Sequence, residues 1–315
     1  MTLSEEDRRI RALRPARLRV DPWQPLGTIV EDERQPDGNL ERVLTVFLAG
    51  SECPFTCGFC DLWRQTLDGP TPEGALPTQI RLVLAGSDVG SVRRIKLYNA
   101  SNFFDPRAVP TRDLDAITQL VAPFAGVTVE SHARTVGPRC RDFADRLAGR
   151  LEVAIGLETI HPVALPRLNK QMDLADFARA AQLLRQAEIG LRVFVLVGTP
   201  FVPWQEAVAW SVRSVEYALE HGASVVALIP ARGGNGEMER LAATGEYQPP
   251  SLADLEAALE QSLRLGGGVV VADLWDADRL PTCLPCQVAR LERIRRMNAT
   301  GQAPAPVACA ACLAA

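Results

Sequence analysis

The 315-residue chain is poor in lysine, histidine and tyrosine, and it has no long hydrophobic run. Without about 18 consecutive apolar residues it offers no candidate membrane helix, and no apolar segment follows the charged amino terminus as one would in a secretory signal. We therefore expect a cytoplasmic protein with no membrane partner. Hydrophobic residues make up 47% of the chain and charged residues 23%, which excludes a mainly disordered, collagen-like or coiled-coil protein.

The chain also lacks an excess of charge of either sign. The formal net charge is −4, from 38 acidic and 34 basic residues, and only two of the bases, Lys96 and Lys170, are lysines. Such a balance gives no overall attraction to nucleic acid or to a membrane surface. Arginine is concentrated in two short stretches, residues 8–19 and 290–296, which are typical of solvated helix faces.

Cysteine, in contrast, is abundant and clustered. A reducing cytoplasm disfavours disulfides, and gaps of two or three residues suit metal ligands better than a disulfide framework. The isolated Cys140 is interpreted as a small buried hydrophobic residue. The other seven of the eight cysteines form three groups, which are Cys53, Cys57 and Cys60; Cys283 and Cys286; and Cys309 and Cys312.

From residue 43 onward, short β-branched runs alternate with longer amphipathic runs, the pattern of repeated βα units and a parallel sheet. About six such units are fewer than the eight of a closed barrel, so the sequence predicts an α/β fold with a partial (β/α)6 barrel. Functional residues are expected directly after the strands, because ligands bind at the carboxyl ends of parallel strands. The predicted strands are Val43–Leu48, Val92–Tyr98, Val127–Ser131, Leu151–Gly156, Leu191–Val197 and Ser224–Ile229, with a seventh at Val269–Ala272.

Three segments are predicted along the chain. Residues 1–42 contain several prolines and one short helical pattern, and they are interpreted as an amino-terminal arm. Residues 43–274 form the barrel. Residues 275–315 hold the last four cysteines and are too short to fold without a staple.

The first cysteine group lies in the loop that follows the first predicted strand. Its sequence, CPFTCGFC, runs from Cys53 to Cys60 and brings three thiols to the end of the barrel where ligands should bind. Three cysteine ligands leave one iron of a [4Fe–4S] cluster open to an exogenous ligand. A zinc site is the alternative that this spacing leaves open.

The spacing of Cys53, Cys57 and Cys60, with Phe59 directly before the last cysteine, resembles that of the radical S-adenosylmethionine (radical SAM) superfamily. The resemblance implies that the three cysteines bind the catalytic cluster and that its open iron binds the amino and carboxylate groups of SAM. It also implies a reductant such as flavodoxin or ferredoxin. An electron from the reduced cluster would cleave the sulfonium bond, giving methionine and a 5′-deoxyadenosyl radical that abstracts hydrogen from a substrate.

Residues at the ends of the following strands are candidate SAM contacts. Where the superfamily carries a Gly-Gly-Glu type segment for the SAM amino group, this chain has the neutral residues Asn99, Ser101 and Asn102, of which Asn99 and Ser101 are the predicted contacts. Glu130 ends the third predicted strand and Glu158 ends the fourth, and a carboxylate suits a site for a cationic sulfonium ligand. Together with Phe59 these are the predicted cofactor-binding residues. A structural cap or loop hydrogen bond is the alternative for both glutamates.

A closer resemblance covers most of residues 43–265. The strings KLYNASNFFDPRAVP and VAIGLETIHPVALPRLNKQMDLADFARAAQLL are similar to the radical SAM subunit of archaeosine synthase and its elongator-catalytic-subunit-like relatives. That group modifies tRNA, so the resemblance implies a tRNA base as substrate. Phosphate contacts supply most non-specific affinity for nucleic acid, and the near-neutral charge therefore favours the alternative of a small metabolite or natural product.

The second cysteine set consists of two Cys-X-X-Cys knuckles with 22 residues between them, a spacing typical of structural zinc. Four thiolates from Cys283, Cys286, Cys309 and Cys312 would saturate a tetrahedral Zn²⁺ and staple the segment. An auxiliary [4Fe–4S] cluster is the alternative at these cysteines. A protein that used both cysteine sets as zinc staples would have no catalytic role, and this is the third functional hypothesis.

Overall fold

A computed structural model describes residues 3–313, which fold around an eight-stranded sheet. The strands lie in the sheet in chain order, and all neighbours are parallel except the first pair, which is antiparallel. Residues 1, 2, 314 and 315 belong to the predicted terminal segments and lie outside the described residues. The strands are β1 (Gly27–Arg34), β2 (Leu40–Phe47), β3 (Arg94–Tyr98), β4 (Gly126–Glu130), β5 (Arg150–Glu158), β6 (Gly190–Val197), β7 (Val225–Pro230) and β8 (Val269–Ala272).

Helices connect the parallel strands and cover their outer face. Two of them begin at side-chain caps, since Asp173 and Ser251 each accept a hydrogen bond from the backbone N–H three residues later. None of the helices within residues 3–313 combines the length and apolarity needed to cross a membrane. The helices are α1 (Glu5–Ala12), α2 (Ala75–Gly86), α3 (Leu114–Val121), α4 (Pro138–Ala144), α5 (Ala164–Arg167), α6 (Leu174–Gln186), α7 (Ala207–Glu220), α8 (Glu237–Ala243), α9 (Leu252–Leu263), α10 (Gln287–Thr300) and α11 (Ala310–Leu313).

The predicted α/β partial barrel is confirmed, and the sequence analysis missed one of its strands. Strands β2 to β7 lie at the six predicted positions within a few residues, and β8 coincides with the predicted seventh strand. The missed strand is β1, which comes from the segment interpreted as an arm. Its sequence GTIVEDER is mostly charged in its second half, so it lacks the apolar alternation by which a strand is recognised.

One charged residue of β1, Glu33, has partners inside the barrel. The Glu33 carboxylate pairs with Lys96 of β3 and with Arg192 of β6, the latter at 3.1 Å. Arg192 also donates to Glu152 of β5 at 2.8 Å, and the Thr128 hydroxyl donates to the same carboxylate at 3.0 Å. These groups come from five strands and neutralise one another. Because removing one partner from a buried ion pair costs about 3–5 kcal/mol, this network ties the antiparallel strand to the barrel.

Helix α10 covers the gap between the two edge strands. Strands β1 and β8 end the strand order without pairing with each other, and α10 packs against both of them. The Asn298 side chain accepts from the backbone N–H of Ala272 and donates to its carbonyl, both at 2.8 Å. At the end of the helix, a Cβ on Gly301 would lie 1.9 Å from Arg34 Nη1. The carboxyl-terminal segment therefore belongs to the wall of the barrel.

Candidate cofactor site at the carboxyl end of the barrel

The loop after β2 places Cys53, Cys57 and Cys60 at the carboxyl end of the strands. All three are free thiols of intermediate exposure. Burial raises the pKa of Cys53 to about 11 and the pKa values of Cys57 and Cys60 to about 12. Such thiols stay protonated at neutral pH unless a metal binds and displaces the proton. Three clustered, desolvated thiols suit a soft metal or an iron–sulfur cluster.

Two buried or half-buried asparagines, neither predicted as a site residue, hold the backbone of this loop. Asn169 Nδ2 donates to the carbonyl of Thr56 at 2.8 Å, and Asn235 Nδ2 donates to the carbonyl of Gly58 at 2.8 Å. The Gly58 N–H in turn donates to the carbonyl of Leu168 at 2.9 Å. The cysteine loop is thus fixed by segments that follow β5 and β7 in the chain.

The amino-terminal arm packs on the same loop through Glu52, the residue before Cys53. Arg14 Nη1 donates to Glu52 at 2.8 Å, and Arg17 donates to its other oxygen. Burial acts to raise the pKa of Glu52, but the hydrogen bonds from Arg14 and Arg17 outweigh it and hold the pKa below its ordinary value. Arg14 also lies over the Trp63 ring, 4.6 Å from its centroid. The arm therefore covers one side of the cysteine loop.

The segment after β3 carries buried polar atoms that have no partner among the described residues. These atoms are both polar atoms of the Asn99 side chain and the hydroxyl of Ser101. Asn99 is completely buried, and the intervening Ala100 has a φ of +53°. Buried polar groups in proteins are nearly always hydrogen-bonded, and one that is not points to a missing ligand or ion. These residues therefore offer hydrogen bonds to a small polar ligand next to the cysteine loop.

The Glu130 carboxylate, at the end of β4, lies against the backbone of the same segment. Burial raises its pKa to about 7, although hydrogen bonds from the backbone N–H groups of Ala100 and Asn99 act in the opposite direction. The Glu130 carbonyl also accepts from the N–H of Phe103 at 2.9 Å. The Glu130 carboxylate thus holds the backbone of the Asn99–Ser101 segment by hydrogen bonds. Its contact with SAM stays a prediction.

Glu158 is paired with a lysine that the sequence analysis did not single out. Lys170 Nζ lies 2.8 Å from Glu158 Oε1, and both side chains are buried. Burial acts to lower the pKa of Lys170, but attraction to Glu158 outweighs it and keeps the pKa above its ordinary value. Lys170 Nζ also lies 5.7 Å from the centroid of the Phe59 ring. The predicted Glu158 carboxylate is therefore paired with a lysine, and the charge of the pair is zero. Because the chain has only two lysines, their rarity could have marked Lys170 as a candidate functional residue.

The backbone around this pair is unusual. Glu158 has a φ of +66° at an irregularity in the pairing of β5 with β6, and Asn169 and Gln171, on either side of the lysine, have φ values of +51° and +57°. A non-glycine residue with positive φ is uncommon, and strained residues of this kind concentrate at functional sites. The fold holds Lys170 and Glu158 in place at the cost of local strain.

The four carboxyl-terminal cysteines form a second candidate metal site. The four Sγ atoms lie within 4.8 Å of one another. Cys283 Sγ is 3.8 Å from Cys309 Sγ, and Cys286 Sγ is 3.7 Å from Cys312 Sγ. Arg290 Nε donates to Cys286 Sγ at 3.2 Å, which suits a thiolate. The predicted four-cysteine set is therefore assembled by the fold.

No protein-family model matches the chain. An uncharacterized protein of Methanocaldococcus jannaschii is 22% identical over 256 residues, which cover 76% of this chain and 70% of the relative. Among solved structures, a radical SAM methyltransferase from Sphaerobacter thermophilus matches with a TM-score of 0.50 and 15% identity, over 88% of this chain and 84% of that chain. The fold is that of the radical SAM enzymes.

The archaeal Elp3 of Methanocaldococcus infernus, solved with residues 1–46 deleted, matches with a TM-score of 0.48 and 15% identity over 62% of this chain. The chain spans half the length of that protein, 50%. The radical SAM fold brings together the residues that the sequence analysis predicted from separate strand ends. Cys53, Asn99 and Glu130 lie at the ends of three neighbouring strands, β2, β3 and β4.

Replacement of Gly156 tests the close packing of the buried pair. In Gly156→Ala the new Cβ would lie 1.9 Å from Glu158 Oε1 and 2.8 Å from Lys170 Nζ. We therefore expect the free energy of unfolding to fall by about 1–3 kcal/mol, as measured by denaturant titration. Gly69→Ala is the control, because a Cβ at that position would have nothing within 4 Å, and it should change stability by less than about 0.5 kcal/mol. Equal stability of the two variants would contradict this packing.

Proposed function

We propose that this protein is a radical SAM enzyme, with a [4Fe–4S] cluster on Cys53, Cys57 and Cys60 and SAM bound beside it. The observation that carries the proposal is the combination of three desolvated thiols on one short loop with the unpartnered buried atoms of Asn99 and Ser101 at the next strand end. Unpartnered buried polar atoms destabilise a fold, so we expect a ligand or a water to bind them. When bound, the cluster and SAM supply radical chemistry that protein side chains cannot.

The side chains divide the work of binding. The three cysteines bind three irons and leave the fourth accessible to SAM. Asn99 and Ser101 offer hydrogen bonds to the polar groups of SAM, and Glu130 holds the backbone that carries them. The Lys170–Glu158 pair and Phe59 line the adjoining side of the cysteine loop. A reductant such as flavodoxin or ferredoxin would supply the electron.

Anaerobic reconstitution tests the cluster. The wild-type protein should bind iron and sulfide, turn brown, and release 5′-deoxyadenosine from SAM with dithionite. Combined replacement of Cys53, Cys57 and Cys60 by alanine should abolish all three properties. Asn99→Ala and Ser101→Ala should each retain iron but weaken SAM binding by about 10- to 150-fold, since a lost hydrogen bond to a charged group costs about 1.5–3 kcal/mol.

Cys140→Ala is the matched control, because Cys140 lies in the hydrophobic core and belongs to neither cysteine set. It should retain the cluster. Unchanged 5′-deoxyadenosine release after loss of the three loop cysteines would contradict the proposal. Two zinc ions and no iron or sulfide in the wild-type protein would instead favour the non-catalytic metal protein.

For the substrate we propose a small metabolite or natural product, with a tRNA base as the alternative. The arginines of the two basic stretches, which RNA phosphates would need, are largely paired with carboxylates inside the chain. This pairing leaves less positive charge for a polyanion and adds to the near-neutral net charge. Within the described residues, seven of the ten arginines in these stretches have such a partner: Arg9 pairs with Glu6 and Glu237, Arg11, Arg14 and Arg17 pair with Glu52, Arg290 and Arg293 pair with Glu256, and Arg295 pairs with Glu292.

Binding of unfractionated tRNA, measured by filter binding between 50 and 200 mM salt, separates these substrates. We expect no saturable binding near physiological salt, because the net charge of −4 gives no overall attraction to phosphates and most arginines of the two basic stretches are paired with carboxylates. A dissociation constant that is tight at low salt and weakens by about 10³-fold across this range would contradict the proposal, since such a loss reports about six or more phosphate contacts.

At the carboxyl-terminal cysteines we propose a single structural Zn²⁺. Zn–S bonds of about 2.3 Å in a tetrahedron separate the sulfurs by roughly 3.8 Å, close to the 3.7 and 3.8 Å found between opposite knuckles. A four-iron cube, in which each cysteine binds a separate iron, would hold its cysteine sulfurs farther apart. The knuckles flank α10, so this metal would fix the helix that covers the gap between β1 and β8.

Replacement of two ligands tests the zinc proposal. Cys309→Ser with Cys312→Ser should lose one equivalent of zinc while the iron and sulfide of the other site stay bound. Because α10 would lose its staple, amide hydrogen exchange should increase in α10 and β8. Cys140→Ala should keep both the zinc and the slow exchange. Iron and sulfide in place of zinc at these cysteines would contradict the proposal.

A further inference from the structure

Asn102 joins the cysteine loop to the end of β4. The side chain is 2% exposed and lies in the segment after β3, one residue beyond Ser101. Its Oδ1 accepts a hydrogen bond from the backbone N–H of His132 at 2.6 Å, and its Nδ2 lies 3.4 Å from Cys53 Sγ. Unlike Asn99, its polar atoms therefore have protein partners.

The orientation of the Asn102 amide follows from its surroundings. The oxygen and nitrogen of an asparagine amide are distinguished by their hydrogen bonds. A backbone N–H can only donate, so the oxygen must face His132. The NH₂ group must then face Cys53, to which it can only donate.

His132 is itself held rigidly, which fixes the position of the bond. Its ring stacks on Phe55 of the cysteine loop, with centroids 3.8 Å apart and an angle of 18° between the rings. Nδ1 accepts from the N–H of Arg134 at 3.2 Å, so Nε2 carries the proton and donates to the carbonyl of Lys170 at 2.9 Å. Phe55, His132, Asn102 and Cys53 thus form a closed ring of contacts.

The three cysteines are not equivalent in this respect. Among the residues that the structure describes, Asn102 is the only side chain that donates a hydrogen bond to any of the three sulfurs. Asn235 also contacts this loop, but its amide donates to the backbone carbonyls of Gly58 and Cys60, at 2.8 and 3.3 Å. One buried asparagine, Asn102, therefore donates a hydrogen bond to a sulfur of the loop, and the other, Asn235, donates only to backbone oxygens.

We propose that Asn102 is a positioning residue that raises the reduction potential of the cluster through its hydrogen bond to Cys53. This inference rests on the proposed function, because it requires a cluster on the three cysteines. A donor at a ligating sulfur withdraws electron density and stabilises the more negative, reduced state, and hydrogen bonds to sulfur are among the factors that set iron–sulfur potentials. Asn102 would therefore make the cluster easier to reduce.

The test compares Asn102→Leu with Asn235→Leu after anaerobic reconstitution, by redox titration of the cluster monitored by electron paramagnetic resonance without SAM. Both changes are close to isosteric and remove a buried amide that holds the loop. We expect Asn102→Leu to lower the ratio of reduced to oxidised cluster at a fixed potential by about tenfold, equivalent to about 59 mV for one electron. Asn235→Leu should titrate like the wild-type protein. Equal potentials in all three proteins, or equal shifts in both variants, would overturn the inference.

A second measurement uses the wild-type protein, so it does not require the Asn102 variant to bind a cluster. In wild-type protein labelled with [¹⁵N]asparagine, pulsed electron paramagnetic resonance of the reduced cluster should detect a weak ¹⁵N coupling, which Asn235→Leu should retain. Its absence would overturn the inference. Absence of iron and sulfide from the wild-type protein would instead overturn the proposed function itself, so the two failures are distinguishable.

Discussion

The ion pair between Lys170 and Glu158 connects the wall of the barrel to the cysteine loop, and the surrounding backbone is arranged to accommodate it. Glu158 adopts a positive φ at an irregularity in the β5–β6 pairing, and Gly156 has no Cβ where the pair lies. The residues on either side of Lys170 also have positive φ. Because a buried charge without a partner is very costly, the segment after β5 cannot move without breaking the pair. That segment also binds Thr56 and Gly58, so the pair fixes the cysteine loop.

Burial of paired charge is a general feature of this molecule. Both lysines of the chain are buried, one at the mouth of the barrel and one in the network that holds β1. The arginines of the amino-terminal arm are used in the same way, since they meet at Glu52 beside Cys53. A net charge close to zero conceals this arrangement, because these lysines and arginines lie against carboxylates of the same chain.

The carboxyl-terminal cysteines complete the barrel in a different manner. An open sheet leaves two edges that must be covered, and here one helix covers both. Its contacts with Ala272 and Arg34 reach the two edge strands, and the two cysteine knuckles meet at the start of the helix, where Cys286 precedes Gln287. The segment that looked like an appendage in the sequence is thus continuous with the fold that carries the cofactor site.

The amino-acid sequence by itself determined the α/β class, six parallel strands, a seventh strand and both cysteine sets. Periodicity and spacing are local properties, and they can be read without knowing which segments meet. The sequence did not reveal β1, because its charges look like a solvent-exposed segment until Lys96 and Arg192 are seen opposite Glu33.

Only the tertiary structure distinguished the roles of four polar residues, Asn99, Ser101 and Asn102 after β3 and Glu130 at the end of β4. Among the described residues, the Asn99 side chain and the Ser101 hydroxyl have no hydrogen-bond partner. Asn102 is hydrogen-bonded to Cys53 and to the backbone of His132, whereas the Glu130 carboxylate accepts hydrogen bonds from the backbone of Asn99 and Ala100. Side chains of similar chemistry, adjacent in sequence, differ in this way because a hydrogen bond depends on distance and direction between segments far apart in the chain. The sequence determined which groups could bind a cofactor, and the packing of distant strand ends decided which of them are free to do so.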